Sequence, residues 1–150
     1  LAIVAPDPVR AADKVLVVKS ERRLYLLSDG KPIRTYHIML GQQPRGAKQK
    51  EGDGRTPEGV YKLDGRNAAS RFFLSLHVSY PSTQDLQNAR ARHWEPGGAI
   101  MIHGLPNLPK YPLDYYRSND WTDGCIALSN DDMVELWLLT HDDTPIEIRP

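Results

Sequence analysis

Cysteine is nearly missing from this chain. One residue of 150, Cys125, carries a thiol, so no disulfide can form within the chain and the fold depends on packing and hydrogen bonding. Charge of one sign is missing too. The 19 Lys and Arg balance the 19 Asp and Glu, and a formal net charge of zero argues against nucleic acid or an anionic membrane as partner. No stretch approaches the roughly 18 consecutive apolar residues of a helical membrane span. His37, His77, His93, His103 and His141 show no metal-ligand spacing, and one Cys with one His does not make a zinc site. No metal and no cofactor are therefore expected. Internal repeats and low-complexity tracts are also lacking. What is present, 40% apolar and 25% charged residues, is enough for one domain with a core of its own.

The first 13 residues, "LAIVAPDPVRAAD", read as an N-terminal arm or as the trailing end of a signal peptide, ahead of a domain over 14–150. "KVLVVK" (14–19), "RLYLLS" (23–28) and "IRTYHIML" (33–40) are rich in β-branched and bulky apolar residues, and "SDGK" supplies a hairpin turn between the last two. The polar, glycine-broken segment 41–55 predicts a mobile surface loop. Strands follow at 56–63, at 72–80 and at 97–104. In the second of these Phe72, Leu74, Leu76, Val78 and Tyr80 share one face, and His77 lies opposite with Ser75 and Ser79. Ser82 with Asp85 marks the start of a helix over 83–92, and Ser129 with Asp132 the start of another over 129–140. Residues 105–121, with three prolines and no period, predict a long loop of the kind that carries function. "TPIEIR" closes the chain as a strand. The sum is a single, mainly β domain with two or so short helices.

The lone sulfur sits in "WTDGCIALSN" (121–130). A thiol attacks carbonyl carbon only as thiolate and needs a base to take its proton. His103 ends an apolar strand beside the long loop that leads back to Cys125, which makes it the candidate base. Gly124 permits a tight turn in which the amides of Asp123, Gly124 and Cys125 face one point and stabilise an oxyanion. The bland alternative stays open at this stage, since free cysteine is among the most buried residue types and this one precedes Ile126.

"IHG" at 102–104 followed by "TDGCIALSN" resembles the signature of the L,D-transpeptidase catalytic domain, the YkuD-like fold. "RLYLLSDGKPIRTYHIMLG", "RTPEGVYKL" and "SNDDMVELWLLTHDDTPIEI" are similar to other parts of that family, so the resemblance covers roughly 14–149. It implies a β-sandwich-like or barrel-like domain, exported to the periplasm or cell envelope, whose partners are peptidoglycan stem peptides and, as acyl acceptor or product, an envelope protein. It also implies Cys125 as nucleophile, His103 as base and the Gly104 carbonyl as the group that orients the imidazole.

Three departures from the family pattern stand out. Asp123 occupies the position of a usual histidine, Ala127 that of a usual arginine or asparagine, and the spacer between His103 and Thr122 is longer than is common. An acid beside the thiol disfavours thiolate, and a missing arginine removes a partner for a carboxylate. These changes point toward hydrolysis or an atypical amine acceptor over ordinary cross-linking. A catalytically idle wall-binding module is the remaining alternative. Thr122, Trp121, Tyr80 and His77 are candidate substrate-binding residues, as are Tyr115 and Tyr116. The plain reading of these aromatics is core and lid packing, and that of His77 a hydrogen-bonded strand histidine. Arg45, Arg55 and Arg117 are either carboxylate partners or solvated loop cations.

Overall fold

A computed structural model describes residues 11–150; the expected arm or signal remnant falls largely outside the described residues. Alternation dictates the first half. In β1 (Lys14–Val18) Val15 and Val17 are fully buried, and β2 (Arg23–Ser28) places Leu26 and Leu24 opposite them in an antiparallel ladder. The β2–β3 connection turns on Asp29 and Gly30, both at positive φ (51° and 75°), the geometry that Asp-Gly hairpins favour. β3 (Lys31–His37) pairs antiparallel with β2. Each fully buried aliphatic side chain in this layer contributes about 1.5–3 kcal/mol relative to exposure.

β4 (Gly59–Ser70) and β5 (Phe73–Val78) form a long antiparallel pair, and β6 (Met101–His103) pairs with β5. β7 (Ile126–Ala127) runs parallel to β6, and β8 (Thr144–Arg149) inserts between β1 and β4. The eight strands form one sheet in the order β3-β2-β1-β8-β4-β5-β6-β7. Its two ends meet: just past β3, Met39 exchanges backbone hydrogen bonds of 2.9 Å with Ala127 of β7. The sheet therefore curls toward closure, as the mainly β, barrel-like expectation requires.

Among the described residues three α-helices pack around the sheet: α1 (Thr83–Ala91), α2 (Leu113–Ser118) and α3 (Asn130–Leu139). Ser82 and Asp85 form the reciprocal capping box at the start of α1. The Ser129 hydroxyl accepts from Asp132 N at the start of α3, which buries Met133 and Leu136 completely.

Several boundaries differ from expectation. β4 runs past 63 to Ser70 although "DGRNAAS" has no apolar period, because pairing with β5 across two register shifts imposes extension. β6 is short because Gly97 and Ala99 lie at positive φ (79° and 54°) just before it. The expected loop 105–121 contains α2. The segment 41–55 is tied down rather than free: the Asp53 carboxylate accepts from Gln49 N, Lys50 N, Arg55 N and Lys48 Nζ, and the Lys48–Asp53 ion pair is itself buried.

Candidate active site

The parallel β6–β7 pairing sets Ile102 against Ile126 and His103 against Ala127, which brings Cys125 alongside Met101. Met101 N donates to Cys125 Sγ at 3.4 Å, and the thiol donates to Ala99 O at 3.4 Å. Cys125 and His103 open into the same cleft of about 790 Å³, walled by Phe72 and Trp121 on one side and by the 42–54 loop on the other. Two residues 22 apart in sequence thus line one cleft.

His103 is 3% exposed. Its Nδ1 lies 2.8 Å from Gly104 O. A carbonyl oxygen can only accept, so Nδ1 carries the proton and Nε2 keeps a lone pair. The ring stacks on Phe72 at 4.4 Å between centroids, with Trp121 at 5.5 Å. Burial pulls its pKa down to about 4, against an opposing contribution from the Gly104 contact. Burial likewise pushes the Cys125 thiol up; the Met101 N–H opposes this, the Asp123 carboxylate adds to it and the Lys48 ammonium opposes it. Near neutral pH the resting pair is therefore thiol and neutral imidazole.

Glycine is required on both sides of this pair. Gly124 sits at φ 134°, and a Cβ there would lie 2.7 Å from Arg55 O. A Cβ on Gly104 would lie 2.5 Å from Asn130 Oδ1. Between them Thr122 ties the motif turn together: its Oγ1 donates to Cys125 O at 2.7 Å and accepts from Gly124 N at 3.1 Å. The Gly124 amide is therefore committed within the turn and is not free for an oxyanion. The amides of Asp123 and Cys125 have no acceptor among the described residues.

The structure gathers Cys125, His103, Asp123, Thr122 and Trp121 at one cleft, places Tyr115 and Tyr116 along a neighbouring groove and leaves other candidates elsewhere. Tyr80 is 3% exposed, packs edge-on against Tyr61 and donates its phenol to Pro96 O at 2.8 Å, so it belongs to the core. His77 faces the Asp64 carboxylate on the β4–β5 ladder, away from the cleft. Arg45 and Arg117 line a separate basin with Arg22 and Asp120. Ala127 is fully buried between His103 and Met39, so its side chain does not reach the cleft either. No group of three metal-ligating side chains occurs among the described residues.

Sequence reading missed Lys48, Asp53 and Phe72. Phe72 had been assigned to a strand face, whereas it stacks on the imidazole; the run of glycines at 41, 46, 52 and 54 is the one signal that the preceding loop must pack closely. A Cβ on Gly41 would indeed fall 2.2 Å from Gly54 O and 3.0 Å from Gly124 Cα. The Trp121 indole N–H is buried without a partner among the described residues.

One thiol and one carbonyl-pinned imidazole thus line a single cleft on a curled sheet. Residues 12–148 match the family model of the L,D-transpeptidase catalytic domain, YkuD, and the chain belongs to that family. Among solved structures, it is similar to the helical cell shape determining protein Pgp2 from Campylobacter jejuni, with 27% identity and a TM-score of 0.67 over 93% of this chain and 48% of that one. Bd1075 from Bdellovibrio bacteriovorus shares the fold at 24% identity and TM-score 0.61, over 92% of this chain and 48% of that one. An L,D-transpeptidase from Xylanimonas cellulosilytica does so at 18% identity and TM-score 0.54, over 97% and 64%. The chain thus spans about half the length of the first two structures. No curated protein matches it by sequence.

Proposed function

We propose that this domain catalyses cysteine-dependent acyl transfer on peptidoglycan stem peptides outside the cytoplasm. The observation that carries this reading is the neutral His103, its Nδ1–H donated to Gly104 O, sharing one cleft with the only thiol of the chain. In the first step His103 Nε2 takes the Cys125 proton as Sγ attacks the carbonyl between the L-centre of the diamino acid and the terminal D-alanine. The tetrahedral oxyanion is held by the amides of Asp123 and Cys125. It collapses as the C–N bond breaks, the imidazolium returns the proton to the leaving amine, and D-alanine departs from a thioester. In the second step an amine or water loses a proton to Nε2, attacks the thioester and releases the thiol. An envelope protein is a further candidate for acceptor or product, and a role in cell shape accords with the likeness to Pgp2.

A second reading, hydrolysis in place of transfer, is favoured by Asp123. Its exposed carboxylate at the cleft repels an incoming acceptor carboxylate, and the buried Ala127 offers no cation to offset it. Purified enzyme given disaccharide tetrapeptide separates the two. Tripeptide accumulation supports hydrolysis and dimer accumulation supports transfer. No release of D-alanine under either condition would remove both.

A further inference from the structure

Residues 108–116 carry an apolar face that the chemistry at Cys125 does not use. Leu108, Tyr111, Leu113 and Tyr115 are 88%, 54%, 48% and 38% exposed, and they make up most of the large exposed apolar side chains among the described residues. Clustered exposure of this kind marks a binding surface. Tyr111 and Tyr115 stack at 4.4 Å beside a groove of about 800 Å³. Phe72, Trp121 and Gln42 line both this groove and the catalytic cleft, so the two are direct neighbours.

The rings form a ladder from the imidazole to the surface. Successive centroids lie 5.5 Å apart from His103 to Trp121, 5.1 Å from Trp121 to Tyr116 and 6.2 Å from Tyr116 to Tyr111. A stem of three extended residues reaches about 10 Å, the span of the first two steps. A stem held with its third residue at Cys125 and its first toward Trp121 would bring what is attached to the first residue to the side of the cleft that borders Tyr111 and Tyr115.

The backbone of this loop is already occupied. The Tyr116 phenol accepts from Lys110 N and Tyr111 N, Tyr115 N donates to Pro112 O, and Asn107 N donates to Arg71 O. A second peptide would find few free main-chain N–H groups to pair with. What the groove offers is ring faces together with the Arg71 and Lys110 side chains, which make no hydrogen bond among the described residues. Flat apolar faces with donors at the rim suit a pyranose ring, whose C–H face stacks on aromatics and whose acetamido and hydroxyl oxygens accept.

We propose that Tyr111 and Tyr115 form a platform for the N-acetylated amino sugars of the glycan strand, so that the enzyme reads sugar and stem together. The inference rests on the stem-peptide reading of the cleft. Its test has two arms. In the first, a tetramer of N-acetylglucosamine is titrated into the protein and followed by the ring resonances of Tyr111 and Tyr115. Saturable shifts are expected, with binding roughly tenfold weaker in the Tyr111→Ala variant. In the second, kcat/KM is compared for disaccharide tetrapeptide and for the same tetrapeptide without sugar. The wild type should favour the sugar-bearing substrate by about tenfold, and the variant should lose that preference while keeping its rate on free tetrapeptide, which also shows that it is folded. Failure of the wild type to bind the tetramer, or an equal loss on both substrates, as a peptide in the groove would give, overturns the proposal. Tetramer binding without turnover of either substrate would instead refute the stem-peptide reading and leave the sugar platform standing.

Discussion

The two ends of this sheet are built by different means. Around β1, β2 and β8, stability comes from alternation: Val15, Val17, Leu24, Leu26 and Ile146 have no exposed surface, and their neighbours on each strand point outward. Around β6 and β7 the strands are three and two residues long, and beside the buried Ile102 and Ile126 the structure relies on polar groups taken out of water, most of them individually satisfied, with the Trp121 indole N–H the exception among the described residues. Thr122, His103, Lys48 and Asp53 are all buried or nearly so, and each has a named partner. The first end tolerates changes of sequence that keep apolar volume. The second does not, because removing one partner strands the other. Activity and stability should therefore come apart under mutation.

The largest effect is expected at the polar end. His103→Ala should slow acylation by on the order of 10² to 10⁴, measured by single-turnover release of D-alanine, with the thermal midpoint little lowered beyond the cavity cost. Rates within a few-fold of wild type would mean that another group takes the thiol proton. At the apolar end Leu24→Ala should cost about 2–5 kcal/mol in denaturant unfolding while the folded fraction keeps its turnover number. Thr122→Val inverts that pattern. It keeps the volume but leaves Cys125 O and Gly124 N without their side-chain partner, so the rate should fall by about tenfold or more for a cost of about 1–3 kcal/mol. Equal ratios of rate loss to stability loss in Leu24→Ala and Thr122→Val would erase the distinction between the two ends.

Acid sharpens the comparison further. The folded His103 titrates near 4 instead of the ordinary 6.5, because burial favours the neutral ring. Between those values the unfolded chain binds a proton that the native state does not, so stability falls as pH drops through this window, by about 3 kcal/mol at most. The base itself stays unprotonated down to about pH 4, so the acid limb of kcat/KM should have its midpoint there. A midpoint near 6.5 would place the imidazole in a wetter setting than the stacked position on Phe72.

The same division decides what was legible in the sequence. Alternation and turn chemistry report on the apolar end, so β1, β2, the Asp29–Gly30 hairpin, α1 with its Ser82 cap and β8 could be read in advance. That Cys125 and His103 would share one cleft was legible because few residue types suit the acyl transfer proposed for them. Lys48 and Asp53 were not, since a buried ion pair inside a polar loop has the same composition as a solvated one. The fate of the Gly124 amide was equally hidden, because it depends on the rotamer of Thr122. Tyr80 shows the opposite case: strand alternation places it rightly with the core, and it was its reading as a substrate-wall residue that differs, since its phenol donates to Pro96 O away from the cleft. β4 beyond residue 63 was invisible because its extension comes from its partner strand.

The central claim is that Cys125 forms the acyl bond, and intact-mass spectrometry tests it most directly. The protein is incubated with a carbapenem-type β-lactam or with disaccharide tetrapeptide under acid quench, and any adduct is mapped by peptide digestion. The account predicts a single acyl adduct on the wild type, located at Cys125, and none on Cys125→Ala. An adduct of the same mass on the alanine variant, or one mapped to another residue of the wild type, would contradict it.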